Sequence, residues 1–110
     1  MQDGFAVVVT LKVADSETYR ILMTDADDIA IARALLAGED APGIPNGLVV
    51  YGSDGDINAG YDWHIDPSNV EWAEAAIEGC DGLPSAVGTP LFTSDRFCPW
   101  TAKVIAVDPA

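Results

Sequence analysis

The most constraining feature of the sequence is a run from Phe5 to Val13 in which apolar residues recur at every second position. β-Branched residues at this spacing predict a strand with one buried face. A polar turn at residues 14–17 separates this run from a second alternating run, residues 18–23. The two runs together predict an antiparallel hairpin.

The next stretch has the signals of a helix. Thr24 or Asp25 can accept from the free N–H groups of a first turn, and acidic residues that follow suit the positive end of the helix dipole. Apolar residues at positions 29, 32, 35 and 36 recur at helical spacing, and Gly38 follows as a stop signal. The pattern predicts a first helix.

A second helix is predicted from Asp66 to Gly79. Asp66 can act as an N-cap with Pro67 at the first helical position, or Ser68 and Glu71 can form a capping box. A strand over residues 70–77 is the alternative, although its alternation would turn an acidic residue inward.

Three further runs, at residues 48–51, 61–65 and 101–107, alternate as strands do. The predicted order is β-β-α-β-β-α-β within a single α+β domain over residues 1–110. We expect an antiparallel or mixed sheet of four to five strands with two helices on one face. A chain of 110 residues can bury one modest core but not two.

The charge balance is strongly acidic, with 18 Asp and Glu against 5 Lys and Arg and a net charge of −13. Nucleic-acid binding needs clustered cations, and anionic membranes would repel this chain, so both partners are excluded. The balance suits a cation or a basic partner. The sequence also contains no apolar run long enough to cross a bilayer.

Cys80 and Cys98 are the two cysteines. The sequence has no C-x-x-C pair, and one histidine with two thiols cannot complete a zinc site. We interpret the two as a disulfide, which places the chain in an oxidising compartment. The alternative is two buried free thiols in a cytosolic protein.

One loop places oxygen ligands at alternate positions, which is how a calcium loop begins. Its candidate ligands are Asp54, Asp56, Asn58 and Asp62. An EF-hand is excluded because Ala59 stands where glycine is required and Ile65 where the bidentate glutamate is required. Calcium, bound in a non-standard loop, is therefore the one cofactor that the sequence suggests. The alternative is that this loop is an ordinary turn without a metal.

The aromatic stretch after this loop supplies the candidate binding residues, Tyr61, Trp63, His64 and Asp66. Tyr and Trp are favoured as binding anchors, although in a small domain they also build cores. His64 is the only available base for a serine nucleophile, and no G-x-S-x-G motif is present. We assign no catalytic residue, and a small hydrolase built on His64 is the least favoured alternative.

The string N-x-x-Y-x-W-H-x-D-P, followed by C-D-G-x-P-S and F-C-P-W, resembles the signature of a family of small, mostly secreted, uncharacterised bacterial domains. The matching segments are residues 58–67, 80–85 and 97–100. One departure is Gly79, where the family usually has a larger apolar residue. The resemblance implies export, to a secreted or periplasmic location, and a bridge between Cys80 and Cys98. It implies no activity.

We therefore expect a secreted, monomeric, non-enzymatic module that binds an unidentified protein partner, with an inhibitor of an extracellular enzyme as one form. Loops on a rigid scaffold usually carry recognition, so residues 53–60 and 82–96 are the expected contact loops. Calcium binding and His64-dependent hydrolysis are the alternatives. The first four residues lack the basic head and apolar stretch of a signal peptide, and Met1 is compatible with a start placed after a removed leader.

Overall fold

The structure, a computed structural model, describes residues 6–52, 57–75 and 78–110. Within these residues the chain forms six strands and one α-helix. In chain order they are β1 (Val7–Val13), β2 (Glu17–Met23), α1 (Ala26–Leu36), β3 (Ile44–Tyr51), β4 (Trp63–Ala73), β5 (Arg96–Phe97) and β6 (Ala102–Pro109). Two short 3-10 turns, Glu78–Cys80 and Pro84–Ala86, lie between β4 and β5.

The strands form two three-stranded antiparallel sheets, with orders β2-β1-β6 and β4-β3-β5. The hairpin predicted from the first two runs is confirmed, because β1 and β2 pair from Val7 opposite Met23 to Val13 opposite Glu17. Its turn places two residues at positive φ, 54° and 53°, as the turns favoured in hairpins require.

The predicted fold class is wrong. The expectation was one sheet of four to five strands covered by two helices, whereas the described residues form two sheets and a single α-helix. β3 does not join the first hairpin but pairs with β4 and β5 in a sheet of its own. The fold is a sheet-rich α+β arrangement.

The second predicted helix is also wrong, because Asp66 lies in the middle of β4. Gly47 pairs with Val70 and Val49 with Ile65, so four residues of β4 stand opposite one residue of β3. The strand therefore bulges at residues 66–69. At the bulge, the Asp66 carboxylate accepts from the backbone N–H and the hydroxyl of Ser68, at 2.9 and 2.8 Å. This is the hydrogen bonding of a helix N-cap used in a strand.

Arg96 lies on β5, on the other side of β3, and its side chain reaches the bulge of β4. Its Nε donates to Oδ1 of Asn46 in β3 at 2.6 Å, and its Nη2 donates to the carbonyl oxygens of Asn46 and Asn69 at 3.2 and 3.3 Å. The guanidinium thus donates to two backbone carbonyl groups beside the bulge. The planar fork of arginine suits several acceptors in one plane.

The predicted first helix is confirmed as α1. Its N-cap is Asp25, whose carboxylate accepts from the N–H groups of Asp27 and Asp28 at 2.9 and 3.2 Å. Burial, and then the charges of Asp25 and Asp27, raise the pKa of Asp28. Ile29 and Ala32 are the buried face of α1. No helix among the described residues is both long enough and apolar enough to cross a membrane.

The core joins the two sheets through aromatic rings. Tyr19 of β2 lies 5.7 Å from Trp63 of β4 and 5.1 Å from Phe97 of β5, measured between ring centroids. Trp63 and Phe97 also contact each other, at 5.6 Å. All three side chains are almost fully buried, and burial raises the pKa of Tyr19. These large apolar surfaces supply much of the packing between the sheets.

Candidate functional site

A groove of about 620 Å³ lies between two segments, residues 60–63 and residues 84–89. Four of its lining side chains, Tyr61, Trp63, Pro84 and Val87, are largely apolar. Its polar side chains are Asp62, Ser85 and Thr89. The groove therefore combines apolar walls with a few polar groups, which is the usual composition of a binding site.

Residues 57–62, here called the clamp segment, cover the outer edge of β2. Oδ1 of Asn58 accepts from the backbone N–H of Arg20 at 2.9 Å, while its Nδ2 donates to the carbonyl of Trp63 at 3.0 Å. The hydroxyl of Tyr61 donates to the carbonyl of Thr18 at 2.7 Å. The clamp segment thereby links β2 to β4 and satisfies edge groups that would otherwise invite pairing with another chain.

The candidate binding residues Tyr61 and Trp63 thus have structural contacts. Trp63 is 1% exposed, and its indole N–H has no acceptor within the part of the chain described. An unsatisfied buried donor costs about 1–3 kcal/mol, which the aromatic packing has to offset. Burial, followed by the charge of Glu17, raises the pKa of Tyr61. Trp63 therefore presents almost no surface to a partner, whereas Tyr61 is half-buried.

The second wall of the groove is tied to β2 by a carboxylate. Both oxygens of Glu17 are used, one accepting from the backbone N–H of Ser85 and the other from its hydroxyl, each at 2.8 Å. The hydroxyl of Thr89 donates to the carbonyl of Ala86 at 2.6 Å. Ser85 lies in the predicted contact loop 82–96, but its contact with Glu17 was not predicted, because the two residues are 68 positions apart and no local pattern marks the pair.

The chain turns sharply just beyond this wall. The backbone N–H of Phe92 donates to the carbonyl of Thr89 at 3.0 Å, which closes a β-turn with Pro90 and Leu91 at its centre. Phe92 is buried against Phe97, with ring centroids 5.8 Å apart, whereas Leu91 is 89% exposed. This Leu91 turn, residues 89–92, lies inside the predicted contact loop 82–96.

The disulfide between Cys80 and Cys98 is confirmed, and both cysteines are buried. Their Cα atoms are 5.1 Å apart, and the N–H of Cys98 donates to the carbonyl of Cys80 at 2.7 Å. The bridge closes the segment that carries the groove wall and the Leu91 turn. In the chain-entropy model it stabilises the fold by about 3 kcal/mol. It is consistent with an extracellular or periplasmic location.

His64 and Asp66 occupy the same side of β4 but do not form a catalytic pair. Nδ1 of His64 lies 2.9 Å from the carbonyl of Gly52, so Nδ1 carries the proton and donates it there. Asp66 is engaged with Ser68, and those two hydrogen bonds lower the pKa of Asp66. No serine hydroxyl of the described residues contacts His64, so they assemble no nucleophile–base pair. Hydrolysis remains a sequence prediction without a geometric basis here.

The predicted calcium loop is described only in part. Asp54 and Asp56 fall in residues 53–56, outside the described residues. Asn58 points into the fold, where its amide forms the contacts of the clamp segment, and Asp62 lines the groove. Among residues 6–52, 57–75 and 78–110, no three His, Cys, Asp or Glu side chains come together as metal ligands. Calcium binding stays a prediction.

The fold and the groove together define a class, namely small, disulfide-bonded, sheet-rich α+β domains with a solvent-accessible groove between two loop segments. More particularly, the chain belongs to the BP-74 N-terminal domain family, whose family model matches residues 5–110. Comparisons with curated proteins and with solved structures gave no significant match. The resemblance to secreted bacterial domains stays a prediction.

Proposed function

We propose that this domain is a secreted, non-enzymatic protein-binding module, and that its contact surface is the Leu91 turn with the adjoining groove. The observation that carries the proposal is the exposure of Leu91, 89%, on a turn whose neighbours are fixed. An apolar side chain on a pre-ordered turn loses little entropy on binding, so it is suited to be an interface anchor.

Three contacts support the rigidity of this surface. Phe92 is held in the core next to Phe97, Ser85 is held by Glu17, and the Cys80–Cys98 disulfide closes the segment. The turn is compact rather than extended, so it fits a partner with a small apolar pocket better than one that binds strands along a sheet edge. An extracellular enzyme with such a pocket is one partner of this kind.

The test compares two exposed apolar residues. Immobilised wild-type domain, Leu91→Ser and Ile105→Ser are exposed to the extracellular fraction of the source cells, and bound protein is quantified. Ile105, on β6, is the control because it is apolar and 48% exposed but remote from the groove in sequence and sheet. We expect Leu91→Ser to weaken capture at least tenfold, about 1.4 kcal/mol, since anchors typically cost more than 1 kcal/mol when truncated.

Ile105→Ser should capture as the wild type does, and both variants should keep the wild-type circular dichroism spectrum. Equal capture by all three proteins, or capture of nothing by any of them, would contradict the proposal.

A further inference from the structure

We infer that the groove receives a basic side chain of the partner, specifically a guanidinium group. This inference rests on the proposed function and names the chemistry of the partner that the groove would select. It follows from the hydrogen-bonding state of the groove's polar atoms, from the charge around them and from the shape of the walls.

The polar side chains of the groove present acceptors and no free donors. The hydroxyl of Ser85 donates its hydrogen bond to Glu17, and the hydroxyl of Thr89 donates its hydrogen bond to the carbonyl of Ala86. Each hydroxyl oxygen therefore offers lone pairs to a ligand, although Thr89 also accepts from the N–H of Leu91 at 3.3 Å. Asp62, being a carboxylate, accepts only. A ligand that complements these side chains presents donors to them, and the guanidinium of arginine has five donors and no acceptor.

The charge of the groove favours a cation. The Asp62 carboxylate lines the groove, and no described residue forms a hydrogen bond or an ion pair with it, so none of those residues neutralises its charge. Glu17 lies beside Ser85 and adds a second negative charge. No Lys or Arg side chain lines the groove among the described residues, and the chain as a whole carries a net charge of −13. The field of the protein therefore attracts a positive group to this position.

The walls fit the rest of such a side chain. Tyr61 is half-buried, and the methylene groups of an arginine can pack along its ring while the charged end reaches Asp62. Trp63, Pro84 and Val87 also line the groove but are almost fully buried. A metal ion fits less well, because the described residues bring no three metal-ligating side chains together.

The experiment uses a small probe and two variants with the same change in charge. N-acetyl-arginine methylamide is titrated into ¹⁵N-labelled domain, and amide shifts are followed by NMR. Wild type is compared with Asp62→Asn and with Asp40→Asn, an exposed residue of the loop between α1 and β3. We expect saturable shifts confined to residues 60–63 and 84–89, at least tenfold weaker binding in Asp62→Asn, and unchanged binding in Asp40→Asn.

Two further probes define the chemistry. The neutral citrulline analogue should give no shifts, and the lysine analogue should bind more weakly than arginine because its ammonium cannot contact several acceptors in one plane. Shifts with citrulline equal to those with arginine, equal binding by Asp62→Asn and wild type, or shifts scattered over the surface would overturn the inference.

The two proposals fail in different ways. Leu91→Ser should bind the arginine probe as the wild type does, because Leu91 does not line the groove. If the probe binds through Asp62 but Leu91→Ser leaves partner capture intact, the proposed contact surface is wrong and the groove inference stands. If Leu91→Ser abolishes capture while Asp62→Asn changes neither capture nor probe binding, the groove inference is wrong and the proposed function stands.

Discussion

Among the glycines of the described residues, Gly47 leaves least room for a side chain. It lies in β3 next to the bulge of β4, and a Cβ atom added there would overlap Cγ2 of Ile65. Ile65 is buried and cannot move outward without leaving the core. The glycine is thus required by close approach, which is one of the reasons for a glycine within a strand.

We predict that Gly47→Ala lowers the free energy of unfolding by about 2 kcal/mol, because overpacking a tight site forces side-chain and backbone shifts. Gly79→Ala is the matched control, since nothing lies within 4 Å of a Cβ at that position. Urea denaturation monitored by tryptophan fluorescence measures both. The penalty of Gly47→Ala should shrink when Ile65→Ala is also present; a penalty of the same size in both backgrounds would exclude the proposed overlap.

The hydrogen bonds of individual side chains were predicted more reliably than the secondary-structure element to which those side chains belong. Asp66 was predicted to accept from nearby N–H groups, and it does so, but at a strand bulge instead of a helix start. Thr24 or Asp25 was predicted to do the same, and Asp25 is the residue that caps a helix. The sequence signals at the two sites are alike, and the difference arises from pairing with β3, which lies outside either local stretch.

At the scale of elements, the clamp segment is what connects the two sheets along one side. Asn58 is 3% exposed, and its single amide group satisfies the N–H of Arg20 on β2 and the carbonyl of Trp63 on β4. A side chain that bridges two strand edges in this way replaces the hydrogen bonds of an additional strand. Truncation of the Asn58 side chain would remove both of these hydrogen bonds, to the N–H of Arg20 and to the carbonyl of Trp63.

We predict that Asn58→Ala lowers the free energy of unfolding by about 3 kcal/mol, since two buried or half-buried backbone groups lose their partner. Thr93→Ala, at an exposed position, should change it by less than about 0.5 kcal/mol. Chemical denaturation provides the measurement. If Asn58→Ala unfolds at the same denaturant concentration as Thr93→Ala, the clamp segment does not hold the sheets together.

Strands with an uninterrupted alternation were predictable, and interrupted or very short strands were not. β1, β2, β3 and β6 overlap with alternating runs in the sequence, and α1 coincides with a helical repeat. The predicted run 61–65 covers the start of β4, but the chain from Asp66 onward was assigned to a helix in preference to a strand over 70–77, because the bulge at residues 66–69 breaks the period of two. β5 has two residues, too few to show a period. The division into two sheets depends on long-range pairing that no local pattern encodes.

At the scale of the whole molecule, charge is unevenly distributed. Three of the five cationic residues, Lys12, Arg20 and Lys103, lie on the outer face of the β2-β1-β6 sheet, where Lys12 stands directly opposite Lys103. Lys103 also lies 3.6 Å from Asp15, an exposed ion pair of small energetic value. The groove lies elsewhere, beside Asp62 and Glu17, and no cation of the described residues belongs to its lining.

We predict that salt stabilises the protein. With a net charge of −13, repulsion within the folded chain exceeds attraction, and raising NaCl from about 20 to about 200 mM shortens the screening length to below about 10 Å. The melting temperature should rise by roughly 4 °C, which corresponds to about 1 kcal/mol for a chain of this size. Calorimetry measures it.

The control is a double variant, Glu39→Gln with Asp40→Asn, which removes two exposed negative charges from the loop before β3. Its melting temperature should depend less on salt than that of the wild type. A melting temperature that falls with added salt would show that attractive pairs outweigh the net repulsion.

The disulfide has a consequence for how the domain can diversify. Cys80 and Cys98 hold both ends of one segment, and Phe92 fixes its middle to the core, so the solvent-facing side chain of Leu91 bears little of the folding energy. Under the proposed function, exchange of Leu91 should therefore change the partner that is bound while the melting temperature of the domain stays nearly constant.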